Sequence, residues 1–109
     1  MTTAYCIFCD IIARREPGTI RYEDEHVIVI DNVLRWVPIM MLAIPKKHIT
    51  QEQMWTDLSA LSAIAVEMGK KYCPGGFRLV SNFGRDAMQS QSHAHLHILG
   101  GDFLGHYVK

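Results

Sequence analysis

The sequence predicts an α+β fold, an antiparallel sheet of about five strands with one long helix and a short N-terminal helix packed on it. Three observations carry this. Short apolar or β-branched runs recur at 26–31, 40–44, 77–81 and 93–99. They do not alternate regularly with crossover helices, so a doubly wound parallel sheet fits poorly. One amphipathic stretch, ending near Tyr72, is long enough to cross over the sheet.

The elements follow in order. Ile7, Phe8, Ile11 and Ile12 recur at helical spacing and predict a helix over 7–15, ended by Pro17-Gly18. Thr19–Tyr22 is a short run, and HVIVID at 26–31 is rich in β-branched residues and reads as a strand. Glu23-Asp24-Glu25 is the turn between them, and 32–37 reads as a loop. MMLAI at 40–44, stopped by Pro45, predicts a buried strand. Leu58, Leu61, Ala65, Met68 and Tyr72 predict an amphipathic helix, with Thr56 as its N-cap and Pro74-Gly75-Gly76 closing it. Phe77–Ser81 is the next strand, and a polar stretch spans 82–92. Residues 93–99 then alternate with a period of two until Gly100-Gly101.

The chain has 109 residues, read as a single domain over 1–109. Apolar residues make up 49 % and charged residues 20 %, enough hydrocarbon for a core and too much for a mainly disordered chain. Eleven basic residues balance eleven acidic ones, which argues against a charge-driven nucleic-acid or membrane-surface binder. No apolar run approaches the roughly 20 residues that span a bilayer. The N-terminus, MTTAYCIFCDII, lacks a basic n-region and a cleavage site, so it reads as mature sequence. Three cysteines do not make a disulfide framework, and the expected compartment is the reducing cytoplasm.

The strongest local signal is His93-Ala94-His95-Leu96-His97-Ile98-Leu99. Alternation puts the imidazoles on one face and Ala94, Leu96 and Ile98 on the other. Successive histidines then lie roughly 7 Å apart, so each has its own task. Three readings stand: a solvent-facing strand, a metal chelate, or imidazole nucleophilic and acid–base catalysis.

Cys6-Ile7-Phe8-Cys9 offers two thiolates at a helix start, half of a tetrahedral metal site, with His48 and His93 as candidates for the other half. The plain alternative is two buried cysteines. A c-type haem is excluded because Asp10 follows Cys9 where a histidine is needed. The stretch 82–90, with Asn82, Gln89 and Ser90, offers neutral donors for phosphate oxygens beside the imidazoles. Asp31 ends an apolar strand and suits either a sugar diol or an ordinary turn, and spacing alone favours the turn. Trp36 and Trp55 read as packing or interface residues.

The run 93–99 resembles the signature of the histidine triad (HIT) family, His-φ-His-φ-His-φ-φ. Gln89-Ser90, Gly100-Gly101, Ile44-Pro45-Lys46-Lys47-His48-Ile49, the segment 77–82 and the opening 6–12 resemble its Hint-like branch of nucleoside phosphoramidases, so the likeness covers nearly the whole chain. The resemblance implies a HIT-like fold that dimerises into one continuous sheet. It implies a hydrolase or transferase acting at the α-phosphate of purine nucleoside phosphoramidates or related conjugates, through a covalent nucleotidyl-histidine.

Relatives that cleave dinucleoside polyphosphates carry the same triad, and a nucleotide-binding protein with weakened catalysis is the other reading. By resemblance, His95 is the nucleophile and His97 contacts the phosphate and assists proton transfer. Gln89 and Ser90 hold phosphate oxygens and the leaving group, and Asn82 is a further polar contact. Asp31 takes the ribose, while Phe8, Ile11 and Leu42 surround the base. Cys6, Cys9, His48 and His93 match the ligands of a structural zinc ion, with no organic cofactor. Two departures stand out. Met40 occupies the place of a usual histidine, and a thioether relays no proton. Met88 replaces a usual small residue before Gln89 and narrows the pocket.

Overall fold

The structure, a computed structural model, describes residues 5–106. The reading of the extreme N-terminus falls partly on residues 1–4, outside the described residues. The elements are α1 (Ile7–Ile12), β1 (Ile20–Glu23), β2 (Val27–Asp31), β3 (Ile39–Pro45), α2 (Gln51–Thr56), α3 (Ser62–Tyr72), β4 (Phe77–Val80), a 3-10 turn (Arg85–Ala87) and β5 (Leu96–Gly100). The strands form one sheet in the order β1-β2-β3-β5-β4, with every neighbouring pair antiparallel. The expected five-stranded antiparallel α+β architecture is what the chain adopts. Strand β5 inserts between β3 and β4, so α2 and α3 carry the chain across the sheet.

Both faces of the sheet are covered, which explains why VIVI and MMLAI read as unbroken apolar runs. Val27, Val29, Met41 and Ala43 join Ala94, Leu96 and Ile98 in the core beneath α3. Ile28, Ile30, Leu42 and Ile44 point the other way, against Phe8 and Ile11 of α1. Alternation in three central strands thus builds two cores.

The structure corrects four local expectations. The first helix stops at Ile12, well before Pro17, where Arg14 enters the left-handed region at φ 63°. Thr56 is not an N-cap but the last residue of α2, a helix that sequence periodicity passed over. Thr50 caps α2 through a reciprocal capping box with Gln53. Helix α3 starts at Ser62 after Leu61, with no side-chain cap. His93 and His95 precede β5, and only His97 lies within its ladder. The alternation survives in the packing, with Ala94 in the helix-side core together with Leu96 and Ile98.

No helix among the described residues is long and apolar enough to cross a membrane.

Candidate active site and metal centre

Two clusters meet at the start of β5. The first joins residues nearly ninety positions apart. Cys6 caps α1, its thiol accepting the Cys9 N–H at 3.3 Å. Both thiols therefore face the same corner. There Cys6 Sγ lies 3.4 Å from His93 Nδ1, and Cys9 Sγ lies 3.2 Å from His48 Nδ1 and 3.5 Å from His93 Nδ1. All four donor atoms fall within 4.8 Å of one another.

A tetrahedral ion with sulfur at about 2.3 Å and nitrogen at about 2.0 Å has sulfur–nitrogen edges of about 3.5 Å. The cluster has those edges. His93 is oriented for the task, because its Nε2–H donates to the Pro45 carbonyl at 2.7 Å and leaves the Nδ1 lone pair facing the thiols. Burial, together with the hydrogen bond and charge of Cys6, pushes the Cys9 thiol up to about 11. A bound cation reverses that balance by favouring both thiolates. The four residues thus fit a metal ion.

The second cluster is the remaining imidazole pair. The His95 ring sits 5.2 Å from the Phe8 ring and 5.2 Å from the His97 ring. Its Nδ1 lies 2.9 Å from the His93 carbonyl oxygen, which only accepts, so Nδ1 carries the proton. The Nε2 lone pair is left free. Burial holds His95 below the ordinary histidine range. Burial, then the neighbouring His95, takes His97 down to about 4. Both imidazoles are neutral at pH 7, the state a nitrogen nucleophile needs.

These rings open onto a cavity of about 970 Å³. Phe8, Ile11 and Leu42 give it apolar surface, and Asn82 and Ser90 line the same cavity as His95 and His97. The size is at the upper end of small-molecule pockets.

The comparisons with known proteins agree with this geometry. A family model described as "Scavenger mRNA decapping enzyme C-term binding" matches residues 5–109. A HIT-like protein of Chlamydia muridarum is 40 % identical over 90 residues, covering 77 % of this chain and 71 % of the relative. The protein hit of Bacillus subtilis is 36 % identical over 100 residues, covering 86 % and 69 %. The chain belongs to the histidine triad family. Among solved structures, a HIT family hydrolase from Clostridium thermocellum superposes with a TM-score of 0.86 at 36 % identity, covering 99 % of this chain and all of that one. A histidine triad protein from Clostridium difficile gives the same TM-score at 30 % identity, with 99 % of this chain covered.

This histidine triad chain differs in detail from its sequence reading. Asp31 reaches the cavity, but Arg21 grips its carboxylate through two hydrogen bonds of 2.9 and 2.7 Å, and Arg35 approaches to 3.5 Å. Asn32 has the strand parity of Ile28 and Ile30 and also lines the cavity. Gln89 is not on the cavity wall. Its amide is engaged inside the loop, accepting from Gly84 N–H at 2.8 Å and donating to the Gln91 carbonyl at 3.0 Å. Gln91 takes a place on the wall instead.

Trp36 is exposed rather than packed, and Trp55 donates to Ser81 Oγ at 2.9 Å. Sequence reading missed Gln51 altogether. It is fully buried, its Oε1 accepting the His95 N–H at 3.1 Å and its Nε2 donating to the Asn82 carbonyl at 3.1 Å. Gln51 thereby fixes the backbone of one imidazole and of the polar wall together. Its only sequence signal is the Thr50–Gln53 capping box, which places it in the first turn of α2.

Proposed function

We propose that this protein hydrolyses purine nucleoside phosphoramidates or related nucleotidyl conjugates at the α-phosphorus, with His95 as nucleophile. The observation that carries the reading is the fixed tautomer of His95, with Nδ1–H tied to the His93 carbonyl and Nε2 free at the cavity. In the first step the Nε2 lone pair forms a bond to phosphorus and the bond to the leaving nitrogen breaks. That nitrogen takes a proton from His97, whose proton affinity the bound anionic phosphate raises. Water then attacks phosphorus, the bond to Nε2 breaks, and the water proton returns to His97. The positive charge on the nucleotidyl imidazolium is supported by its Nδ1–H bond to the carbonyl.

In this reading the base lies against Phe8, Ile11 and Leu42, and Asn82 and Ser90 hold phosphate oxygens. Asp31, already paired with Arg21, offers its remaining lone pairs to the ribose. The phosphate role expected of Gln89 requires its amide to leave Gly84 and Gln91.

The metal is zinc, held by Cys6, Cys9, His48 and His93. A closed Cys2His2 set has no open position, so the ion is structural and pins α1 to the start of β5. The chain works as a homodimer in the cytoplasm. The outer position of β4 supports the continuous sheet that such a dimer needs, and three free cysteines suit a reducing compartment.

The test is steady-state hydrolysis of adenosine 5′-phosphoramidate by the parent chain and by His95→Ala. Turnover that the substitution abolishes, with the fold intact, supports the assignment, and equal turnover refutes it. Met40 motivates a second reading, nucleotide binding with weakened turnover, because a buried thioether lines the cavity where a proton-relaying imidazole is usual. AMP binding without turnover favours that second reading.

A further inference from the structure

We propose that Asn32 and Arg35, set around the Asp31–Arg21 pair, form a phosphate subsite for a nucleotide whose ribose is phosphorylated on its 2′ or 3′ oxygen. This deepens the nucleotidyl-hydrolase reading above and rests on it for the seating of the nucleotide.

The sheet register sets the position. Ile30, Leu42 and His97 lie side by side across β2, β3 and β5. Asn32 continues the face of Ile30 past the end of β2, and its N–H donates to the Met40 carbonyl at 2.8 Å. It therefore stands two strand spacings, about 10 Å, from the strand that carries His97. A nucleotide with its 5′-phosphate at the imidazoles and its base against Phe8 and Leu42 brings its ribose toward that point. The loop that follows is fixed as well. Trp36 N–H donates to Met40 Sδ at 3.0 Å, so both ends of 32–36 are tied to one residue of β3. Arg35 is thereby held on the cavity wall.

A carboxylate is the usual partner of a ribose hydroxyl, and an arginine that of a ribose phosphate. Here the carboxylate is already engaged. The register of β1 against β2 shifts between Ile20 and Tyr22, which takes Arg21 out of the ladder. Its guanidinium holds Asp31 through hydrogen bonds of 2.9 and 2.7 Å and lies over the Tyr72 ring at 5.4 Å. Asp31 is thus a neutralised acid.

What remains around it is a set of donors. Asn32 Oδ1 accepts the Leu34 N–H at 3.1 Å, which leaves its NH2 group without a partner among the described residues. Arg35 makes one polar contact among those residues, 3.5 Å to the Asp31 oxygen that Arg21 Nη2 already holds. Most of its five N–H donors are therefore unused. It is also the one lysine or arginine among the described residues that line the cavity. Two guanidiniums against one carboxylate leave a net positive charge here, whereas the imidazoles are neutral. A phosphate monoester supplies the charge and the acceptor oxygens that a guanidinium fork and an amide NH2 match. An unmodified diol supplies two neutral hydroxyls to an acid that is already occupied.

The experiment measures calorimetric Kd values for AMP, adenosine 2′,5′-bisphosphate and adenosine 3′,5′-bisphosphate. The proteins are the parent, Arg35→Gln and Asn32→Asp. Arg35 is exposed, and aspartate keeps the oxygen that the Leu34 N–H needs, so both variants retain the fold. The parent is expected to bind at least one bisphosphate roughly tenfold more tightly than AMP, the scale of one charge-assisted hydrogen bond. The isomer with the larger gain names the hydroxyl that carries the phosphate. Each variant is expected to bring the ratio close to one. A parent that binds AMP as tightly as both bisphosphates, or a preference that neither variant reduces, overturns the subsite. So does a failure of all three nucleotides to bind. Binding needs no chemistry, so turnover of adenosine 5′-phosphoramidate, measured beside it, judges the phosphoramidase reading separately. A bisphosphate preference without turnover keeps the subsite and refutes that reading.

Discussion

Gln51→Leu removes one side chain and strands two backbone groups. Gln51 is fully buried, and its amide joins the His95 N–H and the Asn82 carbonyl at 3.1 Å each. Leucine has similar bulk, so the loss is polar. The His95 N–H lies in buried surroundings and loses its partner outright, which costs about 1–3 kcal/mol. The Asn82 carbonyl is only partly buried and recovers part of its bond from water, adding about 0.5–1 kcal/mol. The sum, about 2–3 kcal/mol after a modest gain from the added apolar surface, lowers Tm by roughly 10 °C in a domain of this size. The assay is thermal unfolding followed by circular dichroism, with phosphoramidate turnover measured beside it. Turnover falls as well, because the His95 backbone and the polar wall lose their common brace. A Tm within about 2 °C of the parent, with unchanged turnover, refutes the reasoning.

Three further predictions follow from the same geometry. Cys9→Ser or His48→Ala lowers bound metal to a small fraction of one ion per chain by plasma mass spectrometry, while His95→Ala and His97→Ala keep it; metal loss in the last two means that the triad itself chelates. Burial depresses His97 from 6.5 to about 4, so the unfolded chain takes up that proton first as the pH falls. Its contribution to stability is therefore full above pH 6.5 and is lost between 6.5 and about 4. His97→Gln flattens that part of a urea-midpoint profile, and an identical slope in both proteins contradicts the assignment. Gly100→Ala places a Cβ 2.5 Å from Cys73 Sγ and 2.8 Å from Cys73 Cβ, an overlap costing about 1–3 kcal/mol. Adding Cys73→Ala removes the Sγ contact but keeps the Cβ one, so it relieves part of the cost, and a stable single variant shows that this contact has room to give.

Much of the fold was legible because alternation is a strong constraint where a sheet is covered on both sides. Val27, Ile28, Val29 and Ile30 divide between two cores in the order that their positions dictate. The same rule placed Ala94, Leu96 and Ile98 under α3 and left the imidazoles facing away. Helix boundaries were harder. The signal for α2 was present in Thr50 and Gln53, but the apolar period that begins at Leu58 drew the helix start to Thr56.

All four members of the metal cluster were named in the sequence, but on unequal grounds. Cys6 and Cys9 share one helix turn, whereas the approach of His48 and His93 depends on the pairing of distant strands. The capping box places Gln51 in the first turn of α2 but does not give its role, since a lone amide in a short helix has no preferred partner until β5 lies beside it. Gln89 shows the converse. Its residue type suits a phosphate, yet its amide closes its own loop.

The central claim is that His95 takes a nucleotidyl group at Nε2. The direct measurement is rapid-quench intact mass spectrometry of the protein mixed with adenosine 5′-phosphoramidate, with His97→Ala used to slow hydrolysis of the intermediate. The account predicts one added adenylyl group, located at His95 by peptide mapping, stable in base and labile in acid, and absent from His95→Ala. AMP release in the parent with no adduct at any quench time, or an adduct that persists in His95→Ala, contradicts it.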